Sequence, residues 1–367
     1  MGGIGKGFAS VLLTGVVMSI LITSGCTEIV FDDSTRYETY PTSIEYTIRY
    51  GYNVSITGTG TYSIHFACDT PKVLLGGSPS VTLLYPSAYQ ETLFGENTRI
   101  IWDINGSSAG LYTLGMTASV VAQSFLVSDL SGVTALTPEQ ISSQYPRLVA
   151  QYCGAQSLDG IRYIDPDHSF IRNTASRIRN QSESTNAFVL AQALFVWLKQ
   201  NTEYRIHESE SVVQPAPETY TLRTGDCDDL SFLYISLCRS LGIPARFIRG
   251  YLIDSLGDSA SAGPHAWVEV FVGGGIGYNG WMPVECAGVA GIQAEIHQNF
   301  GVENAFHLRL FVDEGSNESL DLSLSGISWM YSSSIAITAD AFTEISEYSE
   351  VESKQLVITK NHQRSYE

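Results

Sequence analysis

Two hydrophobic periods divide the chain. Apolar and polar residues alternate in Ser43-Ile44-Glu45-Tyr46-Thr47-Ile48-Arg49-Tyr50 and in Tyr62-Ser63-Ile64-His65-Phe66, with Gly58-Thr59-Gly60 and Gly76-Gly77 as punctuation. Period two between glycine-rich turns predicts half-buried strands. Thr98 to Asp103, Leu111 to Val121 and Ser124 to Val127 continue the pattern, so residues 41–135 predict an antiparallel β-sandwich. His65, among apolar neighbours, reads as a hydrogen-bonded sheet residue rather than a ligand.

At Leu136-Thr137-Pro138-Glu139-Gln140 the texture changes, with Thr137 placed as an N-cap and Pro138 at the first helical position. Ala187 to Gln200 is apolar almost all round, which predicts a helix covered on most sides. After Cys227, Leu230, Leu233, Leu237 and Leu241 recur at helical spacing until Gly242 and Pro244 stop them. His265, Trp267, Glu269 and Phe271 alternate with Ala266, Val268, Val270 and Val272, a strand that Gly273-Gly274-Gly275-Ile276-Gly277 turns back on itself. Pairing Val272 with Tyr278 across that turn sets His265 directly opposite Glu285. Phe306 to Val312 and Ser323 to Tyr331 read as strands joined by a turn at Gly315-Ser316-Asn317, and the tail from Glu347 reads as polar and frayed. An α+β domain over 136–312 and C-terminal strands with a polar tail over 313–367 follow.

The first 26 residues read differently. A single Lys6 precedes an apolar run from Phe8 to Thr23, which ends in Ser24-Gly25-Cys26. This predicts an export segment, and its ending resembles the lipobox of prokaryotic lipoproteins, which implies a lipidated Cys26 as the membrane anchor. An uncleaved helical anchor and an ordinary cleaved signal are the alternatives. Residues 27–40 are polar and read as a tether, so the bulk of the chain is expected outside the cytoplasm.

Charge narrows the partners. With 38 acidic against 20 basic residues the formal net charge is −18, and lysine occurs only at 6, 72, 199, 354 and 360. No basic stripe is left for phosphates, which argues against nucleic acid. The cysteines form no C-x-x-C pair, so zinc is not expected, while Cys68, Cys153, Cys238 and Cys286 could be disulfide-bonded or buried free thiols. Asp165-Pro166-Asp167-His168 reads as a turn capping a helix rather than as a metal site.

The chemistry concentrates in Gly225-Asp226-Cys227-Asp228-Asp229, His265 and Glu285. Cys227 falls at a helix N-terminus, where unpaired N–H groups and the dipole favour thiolate, whereas Asp228 and Asp229 oppose it unless they point elsewhere. An imidazole can take the thiol proton, and a carboxylate can fix the imidazole tautomer. Thr221-Leu222-Arg223-Thr224-Gly225-Asp226-Cys227-Asp228-Asp229, Leu241-Gly242-Ile243-Pro244-Ala245-Arg246, His265-Ala266-Trp267-Val268-Glu269-Val270 and Trp281-x-Pro283-x-Glu285 together resemble the transglutaminase-like superfamily over roughly residues 137–300. The resemblance implies a papain-like α+β core with Cys227 as nucleophile, His265 as general base and acid, and Glu285 as third member where the family usually places Asp. It also implies attack on an amide carbonyl in a protein or peptide, with a thioester intermediate and no cofactor. Hydrolysis is the first expectation, acyl transfer to an amine the second, and a non-catalytic surface-binding protein the third. Loops around 208–218 and 254–263 are expected to set specificity.

Overall fold

The computed structural model describes residues 34–182, 184–206, 213–256, 259–324 and 326–367. The export segment, Cys26 and the first part of the tether lie outside them. Among the described residues, no helix is long and apolar enough to cross a membrane.

The fold is α+β, a sandwich of two antiparallel sheets joined to a helix-backed sheet. One sandwich sheet runs, in spatial order, Arg364–Tyr366, Ile335–Ile358, Thr35–Gly58, Gly110–Gln123 and Leu75–Gly76, with Ser80–Leu83 also on Gly110–Gln123. The other runs Ser328–Tyr331, Tyr62–Asp69, Asn97–Gly106 and Tyr89–Phe94. The inward positions of the period-two runs meet between them: Ile44, Ile48, Ile64, Trp102, Leu114 and Met116 are fully buried in one cluster. Each such side chain contributes about 1.5–3 kcal/mol of burial. The predicted His65 pairing is present, with Nδ1 2.8 Å from Asp103 Oδ1.

Four expectations need correction. Residues 35–40, read as tether, begin the long strand Thr35–Gly58, and Tyr40 donates to the Tyr366 hydroxyl at 2.7 Å. Phe125–Leu126 leaves the sandwich and pairs with Val302–Glu303. Asn317–Leu324 is a helix, so only Ser328–Tyr331 of the predicted 323–331 strand is extended. The tail is not frayed: Ile335–Ile358 pairs along the whole of Thr35–Gly58, and Arg364–Tyr366 adds a further strand. Register shifts interrupt the first pairing at four places, and Glu347 lies beside one of them with φ +54°. Bulges break the period-two signal exactly where the sequence reads as merely polar.

The second unit holds the antiparallel sheet Trp281–Val284, Ser259–Phe271, Ala245–Leu256, His307–Val312. The helices Cys227–Ser240 and Ala187–Asn201 pack in its core cluster, with Phe188, Leu194, Phe232 and Leu237 fully buried. Thr137 caps Pro138–Gln144 with a complete capping box, as its sequence predicts. The two units are stitched by backbone and charge. Lys72 and Arg309 exchange backbone hydrogen bonds, Asn97 bonds both the N–H and C=O of Val312, and Arg246 pairs with Glu96 at 2.6 Å. Arg364 in the last strand donates to the carbonyls of Val127, His297, Phe300 and Gly301.

Candidate active site

The turn before Cys227 is built by three neighbours. Glu203–Tyr204 pairs in parallel with Thr224–Gly225, which fixes the approach to the helix. Asp226 is the N-cap, its carboxylate accepting from the amides of Asp228 and Asp229, while Asp229 accepts from the Asp226 amide at 3.1 Å and from Gln214 N at 2.7 Å. A Cβ on residue 225 would stand 2.6 Å from the Asp229 Cβ, so the glycine is required for this reciprocal cap to close. Both carboxylates that threatened the thiolate are therefore occupied: Asp229 is fully buried in the cap, and Asp228 is 3.0 Å from an Arg249 guanidinium nitrogen. With those charges engaged elsewhere, the sulfur sits on the first turn of its helix.

His265 and Glu285 do meet, although not by the predicted register. Phe271 pairs with Trp281 and Val268 with Val284, two residues further along than expected. The chain reverses at Asn279-Gly280, both with positive φ (54° and 88°), as a type I′ turn requires, and Tyr278 and Trp281 exchange hydrogen bonds around it. A shift of two conserves the sheet face, so Glu285 becomes the diagonal neighbour of His265 instead of its direct partner. The longer glutamate side chain spans that diagonal, and His265 Nε2 lies 2.6 Å from Glu285 Oε2. The other carboxylate oxygen accepts from the Ala287 amide at 2.6 Å. Lys199 clamps the loop behind it, donating to the carbonyls of Cys286 and Gly288, each at 2.6 Å, and pairing with Glu295 at 3.1 Å.

With Nε2 on the carboxylate, Nδ1 of His265 is left for the thiol. Burial alone would lower the His265 pKa, but the Glu285 charge and the hydrogen bonds to Cys227 and Glu285 outweigh it and raise it to about 10. Burial would likewise raise Glu285, yet His265 and then His307 hold it well below the usual carboxylate range. The signs set a pH window. A raised histidine contributes stability that is fully present below its unfolded value of about 6.5 and is lost as pH rises through its folded value. A depressed carboxylate contributes stability present above about 4.3 and lost as pH falls through its folded value. Thermal melts are therefore expected to show a loss of stability between about pH 6.5 and the His265 value that His265→Gln abolishes; the same slope in that variant would contradict the pairing.

Two residues of this neighbourhood escaped the sequence reading. Tyr204 stands near the sulfur, its phenol pushed up to about 12 by burial and then by Cys227, Asp226 and Glu285. His307, on the edge strand His307–Val312, places Nε2 3.1 Å from Glu285 Oε2. Among the described residues His265, Glu285 and His307 bring three donor atoms within 4.8 Å of one another. Beneath them Trp267 stacks on His265 and donates to Glu303 at 2.8 Å, and Glu303, Arg309, Glu269 and Arg246 form a buried chain of ion pairs. The expected alternatives for the other cysteines resolve to free thiols: Cys68, Cys153, Cys238 and Cys286 are unbridged. Burial pushes Cys153 up to about 11 and the other three higher still.

A helix-borne thiol facing an imidazole and an acid on an antiparallel sheet defines the papain-like class of α+β folds. Residues 172–286 match the family model of the transglutaminase-like superfamily. The crystal structure of a "Putative Cysteine Protease" from Cytophaga hutchinsonii superposes with a TM-score of 0.51 at 16% identity, covering 91% of this chain and all of that one, which shows a shared fold. The likeness to the periplasmic domain of TgpA from Pseudomonas aeruginosa, bound to ethylmercury, covers 65% of this chain and 93% of that one at 15% identity, with a TM-score of 0.32. The uncharacterized protein ML0607 of Mycobacterium leprae (strain TN) is 27% identical over 124 residues, 33% of this chain. The match spans only 43% of that relative's length.

Proposed function

We propose that this chain is an exported, membrane-anchored thiol hydrolase of amide bonds in proteins or peptides, with Cys227, His265 and Glu285 as its catalytic residues. The observation that carries the reading is the meeting of Cys227, at the start of its helix, with a His265 whose far nitrogen is 2.6 Å from Glu285. The thiol proton passes to His265, and the thiolate adds to the amide carbonyl. Collapse of the tetrahedral adduct breaks the C–N bond, and the amine leaves with the proton that His265 returns, giving a thioester. Water deprotonated by the same imidazole then releases the acid and restores the thiol. The Cys227 amide is the donor assigned to the oxyanion, because the Asp226 cap takes the amides of Asp228 and Asp229, and one such donor is worth about 3 kcal/mol. The extracytoplasmic location rests on the export-type residues 1–26, with Cys26 as the proposed lipid attachment point.

Iodoacetamide tests the chemistry directly. Cys227 is expected to be alkylated near neutral pH well ahead of Cys68, Cys153, Cys238 and Cys286, whose burial keeps them as thiols. Cys227→Ala should remove both the label and turnover while leaving the chain folded. Alkylation at Cys227 no faster than at an ordinary thiol, or turnover surviving in Cys227→Ala, would rule the mechanism out. Mass analysis of a glutaminyl peptide incubated with and without a primary amine separates hydrolysis from acyl transfer.

A further inference from the structure

Hydrogen-bond accounting around Glu285 leaves one proton unassigned. Its Oε2 is approached by two ring nitrogens, His265 Nε2 at 2.6 Å and His307 Nε2 at 3.1 Å. The other nitrogen of His307 lies 2.8 Å from Asn304 Oδ1. That amide's orientation is not free, because the same Oδ1 accepts the Phe306 backbone N–H at 3.1 Å, and a flipped amide would turn its N–H groups onto a donor. His307 Nδ1 must therefore donate. A neutral ring with its single proton there would aim a bare lone pair at a carboxylate oxygen.

We propose that His307 is a positioning residue of this site that carries a proton on both ring nitrogens, one held by Asn304 and one clamping Glu285 toward His265. The proton is not assigned to Glu285: Oε1 accepts the Ala287 amide, Oε2 faces His265 as well, and, against the effect of burial, the His265 charge pulls the carboxyl below its usual range. Among the described residues, Glu285 and His265 are the titratable groups in contact with the ring. Its strand partner Leu252 and the edge-on Trp267, 4.8 Å away, are neutral. Arg309, two residues along the strand, is engaged by Glu303 and Glu269. A metal is the other way to reconcile two imidazoles with one carboxylate. The observed separations are hydrogen-bond lengths, shorter than the spacing of about 3.4 Å between ligands of a tetrahedral zinc with bonds of about 2.0–2.1 Å. Under the thiol-enzyme reading, on which this part rests, the clamp makes Glu285 a fixed acceptor and so fixes the His265 tautomer. The protonation of His307 itself does not depend on that reading.

The test has two arms. In the full chain with ¹⁵N-labelled histidine, NMR at pH 7 should show His307 protonated at both ring nitrogens, with signals unmoved by EDTA. A ring with a bare Nε2, or signals that move when EDTA removes a metal, would overturn the proposal. In the second arm, iodoacetamide alkylation of Cys227 is followed against pH in native, His307→Gln and His307→Phe chains. His307→Phe should slow it by about ten- to a hundredfold, the worth of one charge-assisted hydrogen bond, and alter the pH profile, with Gln, which still offers an N–H, restoring part of the rate. An unchanged profile in both variants would overturn the clamp. If native Cys227 shows no selective alkylation, the enzyme reading fails, and the NMR arm still decides the state of His307.

Discussion

Glu285→Gln is expected to lower kcat/KM on an amide substrate by about four orders of magnitude, the cost seen when a triad carboxylate becomes an amide and the histidine adopts the wrong tautomer. Oε2 now accepts from two imidazoles at 2.6 and 3.1 Å, and Oε1 takes the Ala287 amide. A carboxamide must place its oxygen on Ala287 or on the rings. With the oxygen on Ala287, the NH2 group faces His265 Nε2 and drives the ring proton onto Nδ1, where it blocks acceptance of the thiol proton. The charge that raises His265 disappears as well. Glu285→Asp should fare better, limited by whether the shorter side chain can span the diagonal. Steady-state kinetics on a variant that still unfolds cooperatively would confirm the effect, whereas Glu285→Gln activity within tenfold of native would remove Glu285 from the mechanism.

Asp313→Ala is expected to cost about 3–5 kcal/mol of stability, because it strands a buried guanidinium. Arg239 and Asp313 are both fully inaccessible and 3.0 Å apart, and the same carboxylate accepts from Gln156 at 2.9 Å and from the Gly315 amide at 2.7 Å. Arg239 also donates to the carbonyls of Ala245 and Gly154, so losing Asp313 unseats the helix Cys227–Ser240 from the loop leading into the sheet. Against a total of about 5–15 kcal/mol the loss is severe. Urea titration should show a much earlier midpoint, with Asp313→Asn intermediate because it keeps the acceptor. A midpoint equal to native would mean that the pair contributes nothing net.

Much of the site was legible because its signals are local. Cys227 at a helix start follows from the leucine spacing behind it and the acidic cap before it, and Thr137-Pro138 announces a helix in the same way. The glycine run suggests the wrong turn, yet His265 and Glu285 still meet because parity, not register, decides the face. The missed signal was Asn279-Gly280, a short-range hairpin marker overshadowed by the glycine run before it. His307 was illegible for a different reason. Its strand reads as ordinary alternation, and the helix Ile292–Asn299 with its flanking loops separates it from Glu285, so no periodicity links the two. The tail reads as merely polar because bulges spoil its alternation, and the buried Glu303–Arg309–Glu269–Arg246 chain joins residues no single window contains.

The pairing of Thr35–Gly58 with Ile335–Ile358 ties the order of synthesis to the order of folding. Thr35–Gly58, the earliest described strand, lacks one of its two neighbours until Ile335–Ile358 has been made, so a large stretch of its backbone stays unpaired over that interval. Such distant pairing slows closure and leaves an adhesive edge open meanwhile. A stop codon just before Ile335 would thus spare every member of the thiol centre, yet strip one flank from Thr35–Gly58.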